Sequence, residues 1–176
     1  MKKSIFTFIL SAFALTLVFT GCKYEDGPFV SLRHKADRFS GSWKFAKVTL
    51  DGAEITNQFN RANFNISFEV YRDGGFGFNF RDNDGKILDR TGKNSKYEEA
   101  QKEIGAEKTA FVYQGSGHWT FINNFKSVQM KYELSYKDES EVPVYDIKEL
   151  RNKKMKLSGK DPDSGKDIEI EFESLN

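Results

Sequence analysis

The sequence predicts an all-β protein, an antiparallel up-and-down β-barrel of about eight or nine strands with a short N-terminal helix and one short surface helix. Three observations carry this. Apolar residues recur at every second position, as in Phe64, Ile66, Phe68 and Val70, and again in Ile168, Ile170 and Phe172; that period puts them on one face of a strand. Tight-turn signals separate such runs, among them Asp73-Gly74-Gly75 and Asp82-Asn83-Asp84-Gly85. Sequential antiparallel strands with one apolar face bury that face, and lose their exposed edges, by closing on themselves.

The elements follow in chain order. Lys2 and Lys3 give a positive start, Ile5 to Phe19 is almost wholly apolar, and the small residues Thr20 and Gly21 precede Cys22. The apolar run is short of the roughly 20 residues a membrane span needs and has the build of a secretory signal, residues 1–21. Residues 22–38 read as a tether and a short helix, capped by Ser31, with Leu32, Ala36 and Phe39 on one face. The barrel domain occupies residues 39–176.

Within it the first strand, Trp43 to Leu50, changes parity. Trp43 and Phe45 share one face, Val48 and Leu50 the other, which calls for a bulge near Ala46 or a strand shared between layers. "NFNISFEVYR" (63–72) reads as a half-buried strand with Asn65, Ser67 and Glu69 on the wet side. Phe76, Phe78 and Phe80 line the next strand, and residues 86–90 form a weaker one. Ser95 and Glu98 make a capping box for a helix over 96–104, with Gly105 beyond its end. Strands follow at 109–114, 117–123, 128–134, 144–150, 155–157 and 168–172.

Composition limits the function. The chain has 176 residues; without Lys2 and Lys3 its 27 basic side chains fall to 25, against 26 acidic ones. That balance gives no footprint for nucleic acid. Cys22 is the single cysteine, so no disulfide forms within the chain. No catalytic motif is present: Ser116 in "GSGH" lacks the G-x-S-x-G pattern, and Glu98 and Glu99 lie on a charged helix. The acids at 82–85 and 161–165 do not have EF-hand spacing and read as turn formers. His34 and His118 lack a third ligand partner; His118 faces solvent if Trp119 faces inward. The reading is therefore non-enzymatic, with no cofactor and no metal. The basic residues at 148–156 should pair across strands with Glu169, Glu171 and Glu173.

Two resemblances add to this. "FTGC" resembles the lipobox of bacterial lipoproteins, which implies acylation of Cys22, cleavage before it and attachment to the outer membrane, on the periplasmic or the cell-surface side. The acids after Lys23 fit a surface-export tag or an ordinary solvated tether equally. A short helix, then Gly41-Ser42-Trp43 opening a strand meander, resembles the lipocalins, and more closely the lipocalin-like lipoproteins of Gram-negative bacteria. "HKADRFSGSWKFAKVTLDG" and "YDIKELRNKKMKLSG" carry that likeness. It implies that Trp43 is structural, packing at the closed end of the barrel over the helix. Two functions are open: binding of a small apolar ligand between inward aromatics (Phe68, Phe78, Phe111 and Trp119), or an interaction and assembly subunit of an envelope complex with a filled barrel. Internal volume separates them, since eight strands enclose just enough room for side chains or one small ligand.

Overall fold

The computed structural model describes residues 33–88, 96–100, 102, 116–133 and 142–175. Their strands are β1 (Gly41–Leu50), β2 (Ala53–Glu54), β3 (Asn65–Val70), β4 (Gly75–Arg81), β5 (Gly117–Ile122), β6 (Ser127–Tyr132), β7 (Val144–Leu150), β8 (Lys154–Lys160) and β9 (Asp167–Ser174). Each strand from β3 to β9 pairs antiparallel with the next, and β9 pairs back onto β1 from Trp43↔Ser174 to Leu50↔Ile168. The result is a closed, lipocalin-like barrel of eight antiparallel strands, with β2 as a two-residue extension hairpinned onto β1. Among the described residues no helix is long and apolar enough to cross a membrane.

Alternation places the core. Phe45, Phe68, Phe172, Met130, Tyr145, Met155 and Ile170 all point inward and are fully buried. Outward positions of β8, β9 and β1 carry a charge ladder. Lys156 bridges Glu169 and Glu171 at 2.8 and 3.3 Å, Lys44 meets Glu173 at 2.8 Å, and Lys160 meets Asp167 at 2.7 Å. The cross-strand pairing expected for Lys156 is present; Lys148 and Arg151 instead take Asp146 and Glu149 of their own segment. Exposed pairs of this kind contribute a fraction of a kcal/mol each.

The parity change in β1 is a bulge: the register with β9 steps from Phe45↔Phe172 to Lys47↔Glu171, leaving Ala46 unpaired. β3 follows β1 only as far as Lys44↔Ser67. Beyond that point another segment takes over the backbone groups of β1. Asn60 Nδ2 donates to the Phe45 carbonyl (2.7 Å), the Val48 amide donates to Thr56 Oγ1 (3.0 Å), and the Ile55 amide donates to the Val48 carbonyl (2.8 Å). A 3-10 turn, Thr56–Gln58, is thereby wedged between β1 and β3, and it delivers Phe59 onto the face of Phe45 at 4.4 Å.

The closed end is built by α1, Lys35–Phe39. Its start corrects the expected one: His34 precedes it without a side-chain cap, and Ser31 and Leu32 lie outside the described residues. Trp43 Nε1 donates to the Phe39 carbonyl (2.9 Å), Arg38 donates to the Leu150 carbonyl (2.9 Å), and Phe39 packs edge-on against Trp119 and Phe121. Trp43 is 1% exposed and lies against the helix through that bond. At the opposite end residues 96–100 are helical (α2), with Tyr97 against Phe80 and Ala100 buried.

Two further expectations change. The strand expected at 86–90 is reduced to a single bridge, Arg81↔Ile87, with residues 89 and 90 outside the described set. β3 is buried on both faces, not one: Ser67 is 1% and Glu69 7% exposed. The strand expected at 109–114 lies outside the described residues.

Candidate functional site

Of the four residues expected to line a ligand cavity, Phe111 is outside the described residues. Phe68 lies on β3 and Phe78 opposite it on β4, their rings stacked at 5.3 Å. Phe68 also meets Phe172 at 5.4 Å, and Phe172 meets Phe45 at 4.9 Å, so the Phe59 ring extends one continuous aromatic column. Phe68 is 0% exposed, Phe45 0%, Phe59 and Phe172 1%, and Phe78 5%. The rings of Phe45, Phe59, Phe68 and Phe172, at 1% or less, border no water-sized void, so the interior around them is filled by side chains. Trp119 stands apart from the column, at the closed end, where its indole donates to the Tyr71 carbonyl (3.0 Å) and packs on Phe39 and Phe121. The structure thus joins Phe68 to Phe78 but not to Trp119.

The residues that reading from sequence missed are Phe59 and the polar group on the outer face of β3. Glu69 accepts hydrogen bonds from Ser42 and from Ser67 (2.8 Å), and pairs with Arg81 at 2.9 Å. Arg81 Nε also donates to Ser67 Oγ (2.9 Å) and Nη1 to the Gly85 carbonyl (2.9 Å). Burial alone would raise the Glu69 pKa; the bonds from Ser42, Arg81 and Ser67 outweigh it and hold the carboxyl below its usual value. All of these groups satisfy one another, which makes the cluster a structural tie between β1, β3 and β4. A cleft of about 510 Å³ beside it is lined by Lys44, Asn60, Arg81 and Asn83.

A hollow of about 840 Å³ on the outside crosses β7, β8 and β9 near the open end. Pro143, Val144, Ser158, Lys160, Asp161 and Glu169 line it. It is shallow and mixed in charge, and Val144 is 39% exposed in it. The acids of both turns bond to their own backbone. Asp82 accepts from the amides of Asp84 and Lys86, and Asp161 accepts from the amide and hydroxyl of Ser164. Among the described residues no three His, Cys, Asp or Glu side chains converge to hold an ion. His118 is exposed on the outer face of β5, opposite in parity to buried Trp119, as expected.

No protein-family model matches this chain, and no curated protein matches it in sequence. The geometry alone therefore bears on what the barrel does. Cys22 lies outside the described residues.

Proposed function

We propose that this protein is a non-enzymatic, lipid-anchored module of the bacterial outer membrane, tethered through acyl chains on Cys22. Its barrel works through its outer surface as an interaction or assembly subunit. The observation that carries this is the aromatic column: Phe45, Phe59, Phe68 and Phe172 have at most 1% exposure, so the interior offers an apolar ligand no room beside them. A segment wedged between β1 and β3 completes the filling, which leaves the loops and the outer clefts to meet a partner. The lipobox-like "FTGC" and the signal-like run before it support the anchor. One acyl chain holds a protein only marginally, whereas three chains on Cys22, two through its thiol and one on its amine, would make release negligible.

Two measurements test this reading. An apolar fluorophore titrated into the folded protein should show no saturable binding. One-to-one saturable binding that a charged residue at Phe78 abolishes, with the fold intact, would establish the small-ligand function instead. A photo-crosslinking residue placed at Ser158, in the outer cleft of β7–β9, should trap one discrete envelope protein in intact cells; its failure there and at neighbouring outward positions would remove the assembly role.

A further inference from the structure

The two ends of the barrel differ in charge and in exposed apolar surface. The helix, loops and turns of the closed end carry Arg33, Lys35, Arg72, Lys126, Arg151 and Lys153 against Asp37, Asp73 and Glu149. Two of the acids are engaged, Asp37 with Arg72 at 3.0 Å and Glu149 with Arg151 at 2.7 Å. Among the described residues the open end is the reverse: Asp51, Glu54, Asp82, Asp84, Asp161 and Asp163, with Glu98 and Glu99 of α2, stand against Arg61, Lys86 and Lys166, with Lys96 and Lys102. The charges of the described residues are thus arranged with one positive and one negative pole.

The positive pole also presents large apolar groups. Tyr71 is 53% exposed, Phe125 52% and Leu175 41%. Phe125 stands at the tip of the β5–β6 turn, where Asn123, Asn124 and Phe125 all have positive φ (52°, 55° and 64°). That conformation suits glycine or asparagine and is an outlier for a bulky ring. Here it turns the ring outward, against Phe121 on one side (5.4 Å) and under the Lys35 ammonium on the other (5.5 Å from the ring centre). A half-exposed aromatic beside a lysine is the pairing that seats at a lipid–water boundary, with the ring toward the acyl chains and the ammonium among phosphates.

We infer that the closed end rests on an anionic bilayer, with Phe125 and Tyr71 at the headgroup boundary and the basic residues around them facing lipid phosphates. The inference builds on the anchor proposed at Cys22 and gives it an orientation. The described fold begins at Arg33, at this same end, so residues 23–32 join the barrel here. Fully extended, that stretch reaches about 35 Å. Bringing the open end to the membrane would use most of it to run the length of the barrel, about 27 Å for an eight-residue strand, and would set acids against phosphates. Seating the closed end needs neither. The attraction acts within a Debye length of about 8 Å, so it weakens in salt while the acyl anchor does not.

The test uses the full chain, processed in its native membrane and reconstituted in vesicles. With Cys22 acylated, an introduced cysteine is the only free thiol. An environment-sensitive fluorophore is attached at Asn152→Cys, in the closed-end turn between β7 and β8, or at Asp84→Cys, at the open end. In phosphatidylcholine vesicles containing phosphatidylglycerol, the label at 152 should brighten several-fold and shift to the blue, and the label at 84 should not change. Phosphatidylcholine alone, or high salt, should weaken the response at 152. Phe125→Ser with Lys126→Glu should bring it to the level at 84 while vesicle flotation and circular dichroism stay unchanged. Equal responses at the two positions, or a response at 152 indifferent to anionic lipid and to the double substitution, would overturn the inference. If the double variant misfolds, the contrast between the two labels in the otherwise native chain decides. The anchor is read separately, by flotation and by the mass of Cys22. Flotation without a response at 152 leaves the anchor and refutes the orientation. An unmodified Cys22 refutes the anchor, and the labels are then compared in the Cys22→Ser chain, where binding through the closed end still confirms the face.

Discussion

Trp43 shows how one side chain ties a helix to a barrel. Its ring is 1% exposed and its indole nitrogen donates to Phe39, the last residue of α1. Replacing it by alanine removes both the packing and the donor, so Trp43→Ala should lower stability by about 3–5 kcal/mol in denaturant unfolding; a near-neutral effect would mean that the helix contributes nothing to closing this end. Glu69 carries a different signature, one of pH. Its pKa in the folded protein is lowered, because three donors outweigh its burial. A lowered carboxyl contributes stability in full above its unfolded value of about 4.5 and loses it as the pH falls through the lower, folded value. As the pH falls below about 4.5, the wild type should therefore lose stability more steeply than Glu69→Gln. At neutral pH the variant should be less stable by about 2–3 kcal/mol, since it leaves Arg81 without its charged partner. Parallel acid limbs would show that the fold does not lower the Glu69 pKa.

At the scale of elements, closeness between strands depends on particular residues. A Cβ on Gly117 would stand 2.2 Å from the Lys131 carbonyl and 2.8 Å from the Phe76 ring, so β5, β4 and β6 meet there only around a hydrogen. Gly117→Ala should cost about 1–3 kcal/mol in thermal or denaturant unfolding, and an unchanged midpoint would mean that the strands part easily. The alternating strands were legible because a period of two is a local signal. The bulge at Ala46 was legible too, from the switch between Phe45 and Val48. The wedge was not. Residues 51–64 have no period, and Phe59 becomes core only because β1 abandons β3 and leaves its backbone groups to Asn60 and Thr56. Glu69 was misread for a related reason: on an alternating strand an outward carboxylate reads as solvated, and only Ser42 and Arg81, 27 and 12 positions away, make it a buried tie. The candidate ligand residues were legible as inward-facing, and Phe68 and Phe78 are. What alternation cannot report is whether the space between inward rings is empty, because that volume depends on how strands and loops from the whole chain come together.

At the scale of the whole molecule, the proposed function is that of a filled barrel held by a membrane tether at its closed end. The anchor makes its own prediction: membrane-extracted protein should begin at Cys22 and carry acyl mass there, and an unmodified thiol or another N-terminus would contradict it. The central claim, that the barrel is filled and so acts through its surface, is tested most directly by Phe68→Ala. Phe68 lies in the middle of the aromatic column, between Phe78 and Phe172, at 0% exposure. In a close-packed interior the substitution removes buried contacts and leaves a cavity, and urea unfolding of the full chain should show a loss of about 3–5 kcal/mol. A loss below about 1 kcal/mol would mean that the ring borders open space, and the barrel would then be hollow and free to hold a ligand.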